Sequence, residues 1–191
     1  LKQIAIFASG AGSNAQQLID HFRGSSLATI SLIVCNKPGA GVLDIAAREG
    51  IPTLLLNRQT FFETDTYVQA LQDHHIDLIV LAGFLWKVPP NLVQAFPQRI
   101  VNIHPALLPK YGGKGMYGHF VHEAVIAAGE TESGITIHFV NERYDEGTPI
   151  LQERCNITPT DTPASLARKI QSLEHRWYPT IVERLLSHSA Y

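Results

Sequence analysis

The run Asp77-Leu78-Ile79-Val80-Leu81-Ala82 constrains the fold most, because it is apolar almost throughout, with no alternation. A strand of that kind is covered on both faces, and such strands belong to parallel sheets flanked by helices. The upstream residues agree. Gln3–Ala8 is a short apolar run, followed by a helical pattern on Leu18, Ile19 and Phe22 that stops at Gly24. Ala28–Cys35 reads as a second strand, Val42–Glu49 as a helix closed by Gly50, and Pro52–Leu56 as a third strand. Phe61–His74 reads as one further helix, with Phe62, Val68 and Leu71 among its apolar positions. Strand alternating with helix predicts an α/β chain with a doubly wound, mostly parallel sheet.

Beyond that strand the rhythm changes. Ile100, Val101 and Ile103 form a short buried strand that Pro105 stops, since proline cannot donate to a sheet ladder. Gly113–Gly118 is a glycine-rich loop, and His119–Ala128 a helix ending at Gly129. Gly134–Val140 alternates apolar and polar residues, and Thr148–Ile157 is another strand. The Asn141–Gly147 connection between them is too short for a helical crossover, so these two strands are expected to form an antiparallel edge. Thr162-Pro163 opens a last helix reaching about Leu186. With no repeat or linker, residues 1–191 are expected to form a single domain.

At 191 residues, 45% hydrophobic and 17% charged, the chain falls among ordinary globular proteins. A formal charge of −2 argues against a general nucleic-acid or membrane-surface binder, which needs a basic excess. Cys35 and Cys155 lie far apart in apolar runs and read as reduced core residues. No apolar run approaches the ~20 residues of a membrane helix, and no leader pattern precedes Ile4, so a cytoplasmic setting is expected. A monomer and a homodimer both stay open.

The candidate chemistry gathers at strand ends. Asn102 and His104 are two apart, so their side chains leave one face of a strand at its carboxyl end, where open α/β sheets bind ligands. A core histidine with a backbone partner and a turn asparagine would satisfy the same pattern. Gly10-Ala11-Gly12-Ser13-Asn14-Ala15 fits the G-x-G-x-x-A form of a dinucleotide fingerprint between strand and helix, whose glycines and free N–H groups can hold a phosphate; a tight turn that binds nothing fits the same residues. NAD is disfavoured because Asn36-Lys37 stands where an acid would take the ribose hydroxyls, though Lys37 leaves NADP open. Asp145 is either a solvated hairpin acid or a group that folds back to hold the charged form of His104. His138 can line the same pocket or serve as a strand histidine. His119, His122 and Glu123 lack a third ligand of suitable geometry, so no metal is expected. Glu174 is by default a surface helix charge, unless its face covers the pocket.

Four stretches in this order, Ser9–Asn14 (SGAGSN), Leu81–Phe84 (LAGF), Asn102–Tyr111 (NIHPALLPKY) and Tyr144–Gln152 (YDEGTPILQ), resemble the phosphoribosylglycinamide formyltransferase family. These are the folate-dependent transformylases of purine synthesis, and the resemblance spans nearly the whole chain. It implies a Rossmann-like nucleotide-binding half, residues 1–100, and a catalytic and folate-binding half, residues 101–191. It implies transfer of a formyl group from 10-formyltetrahydrofolate, as co-substrate and without a metal, to the amine of glycinamide ribonucleotide. By motif position, Asn102, His104 and Asp145 correspond to the catalytic trio. Gly12, Ser13 and Asn14 correspond to the phosphate cradle, and Glu174 to the residue that takes the ribose hydroxyls. Leu85, Trp86, Lys87 and Val88, with Asn102, Asn141 and Tyr144, correspond to the folate wall. The chain departs from the pattern at Trp86-Lys87 and at Thr64, where the family often has arginines, and its Gly112–Gly118 loop is long. The resemblance therefore leaves the holders of the folate glutamate tail unassigned.

Related formyltransferases that act on methionyl-tRNA or hydrolyse formyltetrahydrofolate normally carry an additional C-terminal or N-terminal domain, and the expectation is the ribonucleotide enzyme. An NADP-dependent reductase and a non-catalytic nucleotide-binding regulator are the readings outside the superfamily.

Overall fold

The computed structural model describes residues 1–188. The first half runs β1 (Lys2–Ala8), α1 (Ser13–Phe22), β2 (Ala28–Cys35), α2 (Gly41–Glu49), β3 (Thr53–Leu55), α3 (Arg58–Glu63), α4 (Thr66–Asp73) and β4 (Leu78–Leu81). The second runs α5 (Pro90–Ala95), β5 (Ile100–His104), α6 (His119–Ala127), β6 (Glu132–Phe139), β7 (Pro149–Asn156) and α7 (Pro163–His188). One 7-stranded sheet has the order β3-β2-β1-β4-β5-β6-β7. The pairs from β3 through β5 are parallel, while β5–β6 and β6–β7 are antiparallel. The architecture is the expected α/β one with an antiparallel C-terminal edge.

The chain winds outward from β1 to β3, then returns to place β4 on the other side of β1. That reversal opens a crevice outside the carboxyl ends of β1 and β4, the place where such sheets take ligands. Two apolar layers cover the sheet. On one face α1, α2, α6 and α7 bury Leu18, Val42, Val121, Val125, Leu166 and Ile170. On the other, Phe61, Leu71, Leu92 and Phe96 pack with Phe84 and Trp86 against Phe7 and Leu81. Tyr178 of α7, fully buried, donates its hydroxyl to the Leu81 carbonyl at 2.6 Å and approaches that of Val101 at 3.3 Å.

One local expectation is corrected, and one helix is added to the pattern. The Phe61–His74 stretch is not one helix: α3 ends at Glu63 and α4 starts at Thr66. Thr64 is extended (φ −135°), and its hydroxyl donates to the Thr60 carbonyl at 2.6 Å, so side chains compete with the helix ladder there. The helix α5 lies in a stretch to which the sequence pattern assigns no element; Pro90 occupies its first turn, where a missing N–H costs nothing. The last helix starts as expected. Thr162 N–H donates to Ser165 Oγ (2.9 Å) and Ser165 N–H to Thr162 Oγ1 (3.1 Å), a reciprocal cap with Pro163 just inside it.

Candidate active site

At the mouth of the crevice lies a cavity of about 760 Å³. Gly12, Ser13, Asn14 and Glu174 line it, as do Leu85, Trp86, Lys87, Val88, Asn102, His104, Asn141, Tyr144 and Asp145. The structure thus brings the expected catalytic trio, the glycine turn, Glu174 and the expected folate wall to one place, from strand ends, loops and two helices, while Asn36, Lys37, Thr64 and Glu123 do not line it.

The turn after β1 is built for close approach. Gly12 has φ +85°, and a Cβ there would stand 2.9 Å from Ile45 Cδ1 and 3.0 Å from the Val42 backbone. Any side chain would be strained and crowded. Ser9 Oγ donates to Asn36 Oδ1 (2.5 Å) and accepts from the Leu85 N–H (2.9 Å), tying the turn to the end of β2 and to the segment after β4. Asn36 is thereby occupied, and neither it nor Lys37 lines the cavity, which removes the contact an NADP reading requires. Across from the turn, Asn14 Nδ2 donates to Glu174 at 3.1 Å, and Gln171 Nε2 approaches Ser13 Oγ at 3.3 Å. Burial pushes the Glu174 carboxyl up to about 7, against the pull of the Asn14 amide.

His104, 4% exposed, donates from Nε2 to the Tyr111 carbonyl at 2.7 Å. Its Nδ1 faces Asp145 Oδ2 at 3.6 Å, an ion-pair distance rather than a hydrogen bond. Asp145 (φ +53°) also accepts from the Gly113 N–H at 2.9 Å, and its Oδ1 lies 3.8 Å from His138 Nε2. His138 Nδ1 lies 2.9 Å from its neighbour's carbonyl, that of Phe139, which can only accept, so that nitrogen carries the hydrogen. Burial holds the imidazole below its usual range, hence neutral. Its bare Nε2 then accepts from Asn102 Nδ2 at 3.2 Å. That contact fixes which end of the Asn102 amide carries hydrogens and leaves its second N–H uncommitted.

The opposite wall is aromatic. Phe61, Phe84 and Trp86 lie within 6.4 Å of one another, centroid to centroid. Arg58 stands over Phe62 and Trp86 (5.2 and 5.5 Å), and Lys87 over Tyr144 (5.5 Å). Thr64, exposed, spends its hydroxyl on the end of α3. Gln171 and the inward placement of His122 are not legible in the sequence: a helix glutamine gives no signal, and a helix histidine beside His119 and Glu123 suggests only a metal ligand. Among the described residues no group of three or more His, Cys, Asp or Glu side chains could hold a metal ion. No helix among them is long and apolar enough to cross a membrane.

The fold is a doubly wound α/β sheet with an antiparallel edge, and one cavity beyond its strand ends is lined by a glycine turn, an amide, an imidazole and a carboxylate. Residues 2–182 match the formyl transferase family, and the chain belongs to it. It is 42% identical over 187 residues to a protein of Arabidopsis thaliana named chloroplastic phosphoribosylglycinamide formyltransferase, covering 95% of this chain and 64% of that protein. It is 34% identical to the Bacillus subtilis phosphoribosylglycinamide formyltransferase, over 97% of this chain and 95% of that one. The crystal structure of phosphoribosylglycinamide formyltransferase from Bacillus halodurans superposes with a TM-score of 0.88 at 40% identity, covering 98% of this chain and 96% of that one. The chain spans less than two thirds of the plant relatives, 64% of the Arabidopsis protein and 61% of its Vigna unguiculata counterpart.

Proposed function

We propose that this chain transfers a formyl group from 10-formyltetrahydrofolate to the primary amine of glycinamide ribonucleotide, acting as a single domain. The observation that supports the reading is one cavity lined by the glycine turn Gly12–Asn14, which we take as the anion seat, and by Asn102, His104 and Asp145. The phosphate of the amine substrate sits on the seat, where glycine backbone and the start of α1 offer N–H groups. Its ribose reaches Glu174, and its amine reaches the end of β5. The folate lies along Leu85–Val88, Asn141 and Tyr144, with Lys87, Lys114 and Arg143 the cations that line the cavity and could meet its tail carboxylates.

The amine attacks the formyl carbon, and the carbonyl electrons move onto oxygen. The free N–H of Asn102, its amide held by His138, donates to that oxygen, and a protonated His104 adds positive charge beside it. Asp145, 3.6 Å from Nδ1, stabilises that charge. Collapse of the intermediate breaks the bond to N10, which gains a proton as the former ammonium loses one. Nε2 is committed to Tyr111, so Nδ1 is the nitrogen that passes a proton, through water. The products are the formylated ribonucleotide and tetrahydrofolate, with no acyl-enzyme.

We propose further that the chain works in the cytoplasm, on small molecules rather than nucleic acid or membrane, as a monomer or homodimer. The test combines purified protein, glycinamide ribonucleotide and 10-formyltetrahydrofolate, and follows the absorbance of the folate product. Turnover that requires both substrates is expected. NADPH binding without formyl transfer would favour a reductase instead.

A further inference from the structure

Two imidazoles that line the cavity, His119 and His122, have no part in that scheme; His119 is exposed, and His122 is the buried one. His122 lies in the first half of α6, next to Val121, which is buried in the layer shared by α1 and α7. It is 6% exposed, yet it lines the cavity. Its Nδ1 is buried with no hydrogen-bond partner among the described residues, so Nε2 is the polar atom left to face the cavity. A buried polar nitrogen without a partner is unusual enough to require an explanation.

The tautomer follows from that enclosure. Burial, and to a lesser extent the nearby His104, keep the ring below its usual range and neutral. A hydrogen on Nδ1 would bury an unpaired N–H, whereas a hydrogen on Nε2 leaves only a lone pair inside, the cheaper defect. His122 therefore offers the cavity an uncharged donor. Its position says to what. Ser13, Asn14, Ile170, Gln171 and Glu174 line the cavity from the same layer of helices, while Phe84 and Trp86 belong to the opposite layer. A ribonucleotide running from the anion seat to His104 passes His122 with the atoms just before its amine. In glycinamide ribonucleotide those are the glycyl amide, whose carbonyl oxygen is an acceptor.

We propose that His122 is a specificity-determining residue for the amine substrate, donating from Nε2 to its glycyl carbonyl; this rests on the reading of the function given above. The test begins with direct titration of the native chain with each substrate, then compares His122→Leu, His122→Gln and His122→Asn. Gln carries an N–H at the reach of Nε2, whereas Asn and Leu do not. Leu and Asn should raise KM for glycinamide ribonucleotide about three- to tenfold, the worth of one neutral hydrogen bond, with KM for the folate and the pH profile of kcat unchanged. Gln should restore most of the loss. If Leu fails to fold, Asn carries the comparison. The proposal falls if neither Leu nor Asn raises that KM. It falls equally if both substrates are affected alike, or if Gln is as poor as Asn or the kcat profile shifts, for His122 would then act through packing or His104. A native chain that binds folate but no glycinamide ribonucleotide would instead overturn the function on which this inference rests.

Discussion

His104 spends its Nε2 hydrogen on a backbone carbonyl and turns Nδ1 to a carboxylate, so its ring is oriented from both sides before any substrate arrives. On the proposed mechanism, His104→Ala removes both the charge beside the oxyanion and the proton path. It should lower kcat by at least ~100-fold, while the dissociation constant for glycinamide ribonucleotide, measured by calorimetry, changes little. Near-normal turnover would show that Asn102 and solvent suffice. The pairing of Asn102 with His104 was legible from their spacing in a strand, because period two is a geometric certainty. Asp145 was legible only as one of two readings: nothing in a hairpin acid says which way the hairpin folds, and the family resemblance, not the spacing, favours the one that turns back to His104. His138 and His122 were less legible still, since an isolated histidine among apolar residues looks the same whether it orients an amide, faces a cavity or merely fills space.

The β6–β7 hairpin carries both Asp145, in its connection, and His138, on its first strand, so its shape sets two ends of the candidate site together. Gly147 is the pin. A Cβ at that position would fall onto the Phe139 carbonyl oxygen and come within 3.4 Å of His138 Nδ1, the pair whose hydrogen bond sets the His138 tautomer. Gly147→Ala must push the connection away from β6. It should lower stability by about 1–3 kcal/mol, as overpacking does, and should cut kcat well beyond its effect on KM for the phosphorylated substrate. Denaturant melts alongside steady-state kinetics would check both, and equal losses in all constants would mean the hairpin is only scaffolding. Elements of this kind were readable where one pattern dominated: the buried β4, the alternating β6, and α7 despite Pro179 within it. The pattern fails where side chains outcompete it, as Thr64 does between α3 and α4, and it is silent on an element as short as the 6-residue α5.

Across the whole molecule α7 closes the structure and builds part of the cavity at once. Tyr178 ties it to the central strands β4 and β5, and Glu174, one turn earlier, meets Asn14 from the far end of the chain. Folding therefore carries a carboxyl into an apolar layer, and this couples stability to pH. Burial raises the Glu174 pKa from 4.5 to about 7. Between those values the folded chain holds a proton that the unfolded chain has released. The contribution is thus fully present below about pH 4.5, and it is lost as pH rises through about 7. His122 and His138, displaced downward by burial, act in the opposite direction, so the native curve is a sum of opposing slopes. Glu174→Gln isolates one of them, because it keeps the shape and removes the ionisation. The variant should match the native chain near pH 4.5 and gain on it steadily to about pH 7, levelling at about 2–3 kcal/mol; the lower figure allows for water in the cavity screening the charge. Urea denaturation at several values between pH 4.5 and 8 reads this difference directly. A difference that stays flat would mean Glu174 ionises as an ordinary surface acid does, and that α7 joins the cavity without cost to the fold.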